Sequence, residues 1–342
     1  MGHRLRPVSL VLVTHNSEAH IEASLAILLS DPQGPEELVV VDNASTDNTI
    51  AIVERLGVKL VALEENHGFA YGCNLGASLT REGIVAFLNP DTEPEPGWLP
   101  PLVEALQRNE VGAAMPVMDL TYSPGHWFTS GSALTYLGFA WSTHSGEPIP
   151  DDVSETEVPF PSGAAFVIER NLFDHLGGFR DEYFLYLEDV DLGWRLRLMG
   201  LKSVQVPESR VAHDYEFGRH SRKMYYLERN RLRMVWANYR PATLALLAPA
   251  LILVEFAVIA AAIRHGWFDQ KVESWRGFWE LRSLLRQEAA RSRSIRTVGD
   301  AEILASMDAA FDGINQFEIH PLVRALNKVA VWYLGFVRRV VR

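Results

Sequence analysis

A small set of side chains able to do chemistry stands where apolar runs give way to polar or glycine-rich turns: Glu18, Asp42, Asp91, the adjacent pair Glu188 and Asp189, and His213. Asp91 is a hard oxygen donor, suited to Mg²⁺ or Mn²⁺ bridging a diphosphate. Asp42 can accept hydrogen bonds from a base or a ribose. Asp189, Leu192, Leu196 and Met199 fall on one helical stripe, which sets Asp189 at the rim of a buried face. Partial desolvation there raises a carboxylate's basicity. The plainer reading is that Glu188 and Asp189 favour a helix N-terminus. Gly68 and Gly72 allow close approach of backbone to a ligand. There is no Gly-Lys-Ser/Thr phosphate loop and no Gly-x-Gly-x-x-Gly turn, so P-loop and dinucleotide-binding chemistry is excluded.

These residues need a scaffold, and the hydrophobic pattern supplies one. Val8–Thr14 and Glu37–Asp42 are continuous apolar and β-branched runs, as buried parallel strands should be. Val58–Leu63 and Ile84–Leu88 read as two further strands, with a helix around Gly72–Leu79 between them. Asp47 is placed to cap a helix bearing Ile50, Val53 and Leu56. The expected fold is α/β, a doubly wound, mostly parallel, Rossmann-like sheet. Ligands of such sheets bind beyond the carboxyl ends of the strands. Each of the strand ends carries a polar turn: Thr14, Asn16 and Glu18; Asp42 and Ser45; Asn66, Gly68, Phe69 and Asn74; Asn89 and Asp91. Together they predict one shared polar ligand. From Met118 to Pro161 the texture is loop-rich and aromatic, with Trp127, Phe128 and Trp141 able to pack a sugar or lipid, or simply a core. Ala164–Glu169 reads as a strand, and Asp189–Met199 as a helix stopped by Gly200. His213 is expected after a short strand at Ser203–Val206 and a proline turn. Met224–Tyr239 reads as an amphipathic helix.

At these residues the chain resembles a known family. Thr14-His-Asn16, Val41-Asp-Asn-Ala-Ser45, Asn66-x-Gly-Phe-Ala-x-Gly-x-Asn74 and Phe87-Leu-Asn-Pro-Asp91 are similar to motifs of family 2 glycosyltransferases of the GT-A fold, and within it to bacterial rhamnosyltransferases. The likeness runs over roughly residues 7–240, and the later segments Pro161–Ala165 and Gly178–Leu192 continue it. It implies that Thr14, Asn16, Asp42 and Ser45 hold a nucleotide, with Glu18, Asn66, Gly68, Phe69, Asn74 and Asn89 around the donor. It implies Asp91 and His213 as metal residues, Asp189 as general base with Glu188 beside it, and Ser162 and Gly163 on the acceptor side, where Trp127 is a further candidate by residue type alone. Arg219, Ser221, Tyr226, Arg229 and Asn230 resemble the family's Tyr-Tyr-x-x-Arg-Asn element, with Arg229 offsetting the charge of a leaving diphosphate or pairing with the acidic body. Asn89 stands where relatives carry the first acid of Asp-x-Asp, which leaves Asp91 as the single carboxylate of that segment. The expected activity is inverting sugar transfer, with L-rhamnose from dTDP-rhamnose as the best guess, onto a polyprenyl-diphosphate-linked glycan in cell-surface polysaccharide synthesis. The alternatives are a UDP-sugar donor with another acceptor, a non-catalytic nucleotide-sugar-binding scaffold, and a nucleotidyltransferase.

The rest of the chain bears on where such an enzyme works. Pro241 marks the boundary between a catalytic region, 1–240, and a C-terminal helical region, 241–342. Thr243–Ile263 is apolar and about bilayer length, but contains Pro249 and Glu255, so a helix or helical hairpin embedded in the interface is favoured over a span or a buried helix. Pro321–Arg342 sets Leu326, Val329, Tyr333 and Phe336 against Arg324, Lys328, Arg338 and Arg339, with Trp332 as an anchor, the composition of an in-plane membrane helix or of one packed on a second subunit. From Arg264 onward 13 Lys and Arg face 9 Asp and Glu, a net of +4; the preceding residues carry 19 against 34, a net of −15. An acidic body argues against nucleic acid as partner. No secretory signal is expected at the N-terminus, and the single Cys73 excludes an intrachain disulfide and fits a reducing compartment. The expected location is the cytoplasmic face of the plasma membrane, peripheral or monotopic, with homo-oligomerisation possible in principle.

Overall fold

The computed structural model describes residues 6–81, 83–214, 221–310 and 321–341, the side chains of 321–326 excepted; Arg219, expected near the diphosphate, lies outside them. The described chain forms two compact units. The first gathers residues 6–132, 144–193 and 201–214; the second holds 133–143, 194–200 and the residues from 221 on.

The first unit opens as alternating strand and helix: β1 (Val8–Thr14), α1 (Ile21–Ser30), β2 (Glu37–Asp42), α2 (Thr49–Arg55), β3 (Lys59–Ala62), α3 (Phe69–Ser78) and β4 (Ile84–Leu88). Every residue of β1 and β4 is buried, which is why both read as unbroken apolar runs instead of alternating ones. β5 (Thr92–Pro94), α4 (Leu99–Ala105), β6 (Val111–Leu120) and β7 (Ser123–Thr129) follow, then β8 (Ser132–Leu134), β9 (Ala140–Ser142), β10 (Thr156–Val158), β11 (Ala165–Glu169), α5 (Arg170–Leu176), α6 (Glu188–Leu198) and β12 (Lys202–His213). The main sheet runs β10-β12-β6-β11-β4-β1-β2-β3, with β5 against β12 and β7 against β6. β1 pairs in parallel with β2 and β4, and β2 with β3, while β11 inserts antiparallel between β4 and β6. The register sets Thr14 beside Asp42, Asp42 beside Ala62 and Leu12 beside Leu88, so the carboxyl ends of β1 to β4 lie along one edge. α3 rests on this sheet through glycines. A Cβ on Gly76 would come within 2.3 Å of Val11 Cγ1, and one on Gly72 within 2.7 Å of Val13 Cγ1.

Two local expectations need correction. Asp47 does not occupy the cap position, which falls to Asn48; its carboxylate instead accepts the Thr49 N–H at 3.0 Å from one residue further out. His213 does not follow a short strand and a proline turn. It ends β12, which continues past Pro207 through a register shift between Val206 and Arg210, and pairs with β6 as far as Leu120. A bulge keeps the strand going where a proline alone suggests a break.

The second unit is helical: α7 (Lys223–Asn238), α8 (Pro241–His265), α9 (Phe268–Glu280), α10 (Arg282–Ile295), α11 (Asp300–Ala305) and α12 (Pro321–Val340), with β8 and β9 paired beside them. α7 thus belongs with the helices that follow it, upstream of the Pro241 boundary. Its core is unusually ionic. Arg231 and Arg233 on α7 are buried; Arg231 binds Glu228 at 2.8 Å, and Arg233 binds Glu288 of α10 at 2.9 Å. α8 is one uninterrupted helix with Pro249 inside it, which overturns the hairpin alternative. By length and composition it alone among the described helices is able to cross a membrane.

Candidate active site

The edge formed by the carboxyl ends of β1 to β4 is held together by its own polar side chains. Thr14 and Asp42 are fully buried; the Thr14 hydroxyl donates to Asp42 Oδ2 at 2.7 Å. Ser45 donates to the same carboxylate through its hydroxyl at 2.6 Å and its N–H at 2.8 Å. Ser45 Oγ also accepts the Asn16 N–H at 2.8 Å, and Asn16 Oδ1 accepts the Thr46 N–H at 2.8 Å. Asn16 sits at φ +52°, a conformation that asparagine tolerates better than most residues. Glu18 accepts two bonds from Asn48, each at 2.9 Å. The turns after β1 and β2 are therefore one interlocked floor.

The third turn is joined to this floor by Asn43, which is 2% exposed. Its amide donates to the Gly68 carbonyl at 3.1 Å and accepts the His67 N–H at 3.2 Å. Asn66 Oδ1 accepts the Gly68 N–H at 2.9 Å. Gly68 is not left bare for a ligand, as its sequence position suggests. At φ +89°, a Cβ there would meet the Phe184 carbonyl oxygen at 2.5 Å, and the next residue, Phe69, donates its N–H to that carbonyl at 2.7 Å. Gly72, too, is filled by Val13. Asn74 likewise changes role. Its amide donates to the Phe179 carbonyl at 2.8 Å and to Asp181 at 2.6 Å and accepts the Phe179 N–H at 2.8 Å, so it clamps the 178–181 turn.

That clamped segment leads into Glu188 and Asp189. Phe184, Tyr186 and Leu187 all have positive φ, at +63°, +68° and +66°, which costs roughly 1–3 kcal/mol per residue when the side chain is not glycine. Arg180 pins the segment to α6 through a buried 2.7 Å bridge to Asp191. Asp189 is half-buried; its Oδ2 accepts the Gly163 N–H at 2.8 Å and its Oδ1 the Val190 N–H at 2.8 Å. Burial raises its pKa, against the pull of those backbone donors. Glu188 is 6% exposed. Burial first, and then the charge of Asp189, push it up to about 8.

Sheet pairing brings the metal-type residues to the same end. Ala165 of β11 faces Leu88 of β4, and the Asn89 N–H donates to the Ala164 carbonyl at 2.8 Å, so the Asn89-Pro-Asp91 turn adjoins the Ser162–Ala164 turn that holds Asp189. Thr92 of β5 faces His213 of β12, which places His213 Nε2 3.3 Å from Asp91 Oδ1. Phe128 packs edge-on against the His213 ring, with centroids 4.6 Å apart. A cavity of about 270 Å³ adjoins Asp91, lined also by His20, Glu93, Tyr122 and Asp214. Among the described residues no group of three His, Cys, Asp or Glu side chains is arranged to hold a metal alone. A carboxylate and an imidazole fit a divalent ion that completes its shell with diphosphate oxygens and water.

The remaining expectations fall elsewhere. Trp127 is 5% exposed within β7, so it packs the core and offers no face to an acceptor. Ser162 accepts the Ala164 N–H at 3.4 Å and so shapes the turn beside Asp189. Arg229 lies in α7 of the second unit, where its guanidinium rests over the Tyr225 and Tyr226 rings and donates to the Tyr225 hydroxyl at 3.2 Å. Sequence reasoning missed the roles of Asn43, Arg180 and the strained 184–187 run. Positive φ at Phe, Tyr and Leu leaves no compositional signal, because those residues are avoided there.

The model of the family described as Glycosyl transferase family 2 matches residues 9–177. A Mycobacterium tuberculosis protein named N-acetylglucosaminyl-diphospho-decaprenol L-rhamnosyltransferase is 31% identical over 232 residues, spanning 59% of this chain and 74% of the relative. The crystal structure of GalNAc-T7 with UDP, GalNAc and Mn²⁺ superposes with a TM-score of 0.59 at 19% identity, over 70% of this chain and 49% of that one. That of S. aureus TarS 1-349 does so with a TM-score of 0.54 at 15% identity, over 97% and 90%. At such identities the structural likeness is one of fold.

Proposed function

The chain belongs to glycosyl transferase family 2, and from that premise we propose that it moves a sugar with inversion from a nucleoside-diphosphate donor to a polyprenyl-diphosphate-linked glycan at a membrane surface. The best candidate for the sugar is L-rhamnose from dTDP-rhamnose, supported by the name of the mycobacterial relative. The observation that carries the catalytic reading is Asp189, whose carboxyl is aimed by Gly163 from the turn next to Asn89-Pro-Asp91.

Asp189 takes the proton of the acceptor hydroxyl as that oxygen attacks the anomeric carbon. The new carbon–oxygen bond forms on the face of the sugar opposite the leaving diphosphate. The bond to the diphosphate breaks with its electron pair going to the phosphate oxygen, through a transition state of oxocarbenium character. The burial that raises Asp189 makes it a stronger base than an exposed aspartate. Glu188, held up to about 8, keeps its proton near neutrality and leaves Asp189 as the anionic partner of the pair. Asp91 and His213 are the residues that would hold Mg²⁺ or Mn²⁺, and the ion, when bound, supplies positive charge for the departing diphosphate. The interlocked floor receives the nucleoside through its accessible residues Asn16 and Ser45, which the buried Thr14 and Asp42 hold in place, with Asn89 at the rim.

The test is a panel of nucleotide sugars given to purified protein with Mn²⁺ or Mg²⁺ and a short polyprenyl-diphosphate-GlcNAc. Acceptor-dependent, EDTA-sensitive release of nucleoside diphosphate from one donor is expected. Asp189→Asn should lower that turnover by about 10²–10⁴-fold while calorimetric donor affinity is unchanged. Undiminished turnover in the variant would sink the assignment of the base.

A further inference from the structure

We propose that the second unit docks on an anionic membrane surface through the exposed stripes of α8 and α12, with α8 lying in the plane of the bilayer and not crossing it. This deepens the membrane-surface reading above and takes from it only the identity of the partner.

α8 is inverted relative to a water-soluble helix. Its exposed positions include Ala245, Pro249, Ile252, Phe256, Ala260 and Ile263, spaced by three and four residues along one face. Ile252 is 58% exposed, Phe256 66% and Ile263 62%, and no charged residue interrupts the face from Ala242 to Ile263. At ~1.5 Å per residue this stripe is about 30 Å long. The one charged side chain within that span, Glu255, lies about a quarter turn round the helix from the stripe, where it meets Lys271 at 2.7 Å, the Trp275 indole N–H at 3.1 Å, and Arg231. Arg231 and Lys271 also bind Glu228, at 2.8 and 2.5 Å. Burial pushes Glu255 toward neutrality, but Arg231 and Lys271 outweigh it and hold the carboxyl below its usual range. A transbilayer course would carry this whole ionised cluster to the middle of the hydrocarbon, where even paired charges are costly. Lying flat, α8 presents its apolar stripe to lipid and keeps the cluster in protein.

α12 supplies the charge complement. Val329, Trp332, Phe336 and Val340 form its exposed apolar stripe, with Trp332 72% exposed, and Lys328 and Arg339 are exposed beside it. Lysine and arginine flanking an apolar stripe with an interfacial tryptophan match a bilayer surface of negative phospholipid. α12 is tied to α8 within the unit by the Tyr333 hydroxyl, which donates to the Leu246 carbonyl.

The test floats the full chain with phosphatidylcholine vesicles, with and without phosphatidylglycerol. Binding to the anionic vesicles is expected, at least tenfold weaker for Phe256→Glu and for the surface variant Lys328→Glu/Arg339→Glu. Nucleotide affinity should be unchanged in both variants, which separates loss of docking from loss of the enzyme reading. Sidedness is read in a Cys73→Ser background carrying Ala242→Cys or His265→Cys. With vesicle-bound protein, an impermeant maleimide should label both ends. Protection of one end would mean that α8 crosses. Absence of flotation, or a stable dimer that leaves both vesicle types empty, would equally overturn the proposal.

Discussion

Glu188 and Asp189 are neighbours that meet different surroundings. Asp189 is given two backbone donors; no hydrogen bond among the described residues reaches Glu188 Oε2. An unsatisfied buried oxygen is cheaper on a neutral acid than on an anion, which is the physical reason for the rise to about 8. Cys73, also buried, has its thiol pushed well up by burial and then by the charge of Glu188, so it behaves as a small apolar side chain. Because the folded pKa of Glu188 lies above its ordinary 4.5, its contribution to stability is full below about 4.5 and is lost as pH rises through about 8. Glu188→Gln cannot ionise, so its melting temperature should gain on that of the wild type across that window. Parallel melting curves from pH 5 to pH 8 would remove the buried-acid account. If Glu188 also keeps Asp189 the anionic member, the variant's pH–rate profile loses its alkaline inflection while Asp189-dependent turnover persists.

At the scale of elements, the site is a set of turns bolted to one another. Gly68 admits Phe184, Asn74 grips Phe179, and Gly163 holds Asp189, so turns after β3 and before α6 that are far apart in sequence fix the same carboxylate. Gly68→Ala adds a Cβ 2.5 Å from the Phe184 carbonyl at φ +89°. We expect it to cost about 1–3 kcal/mol in urea unfolding and to lower turnover more than donor affinity, because the 184–189 run must shift. Equal losses in both would place Gly68 at the donor instead. The strands and helices carrying these turns were legible, since their apolar runs are long and unambiguous. The partners of the turns were not, because a glycine needed for packing and one needed for a ligand look identical in sequence.

At the scale of the whole molecule, the chain divides its charge between an acidic catalytic unit and a helical unit with an ionic core. Lys271 is fully buried and neutralises Glu228 and Glu255 together. Removing one partner of a buried ion cluster typically costs about 3–5 kcal/mol. Lys271→Met should therefore destabilise the helical unit by that order, followed by far-ultraviolet dichroism on heating. A loss below about 1 kcal/mol would mean that the cluster is solvated as exposed pairs are. Attachment through Lys328 and Arg339 should also weaken as salt rises, whereas an apolar stripe alone would be indifferent to it.

What the sequence determined by itself was the alternation of strand and helix from β1 to β4, the edge on which its polar turns gather, and the family; α4, the buried strand β6 and α5 were not read from it. Each of these rests on short-range pattern: apolar runs, turn residues and motifs that keep their spacing. The tertiary structure decided which of those polar residues face one another. It tied Asn74 to the 178–181 turn, turned Gly68 and Trp127 inward, set His213 against Asp91 through the pairing of β5 with β12, and placed Glu255 among cations that a hydropathy pattern cannot foresee. The reason is that pairing across a sheet or between helices joins residues separated by tens to hundreds of positions, and no local spacing encodes who meets whom.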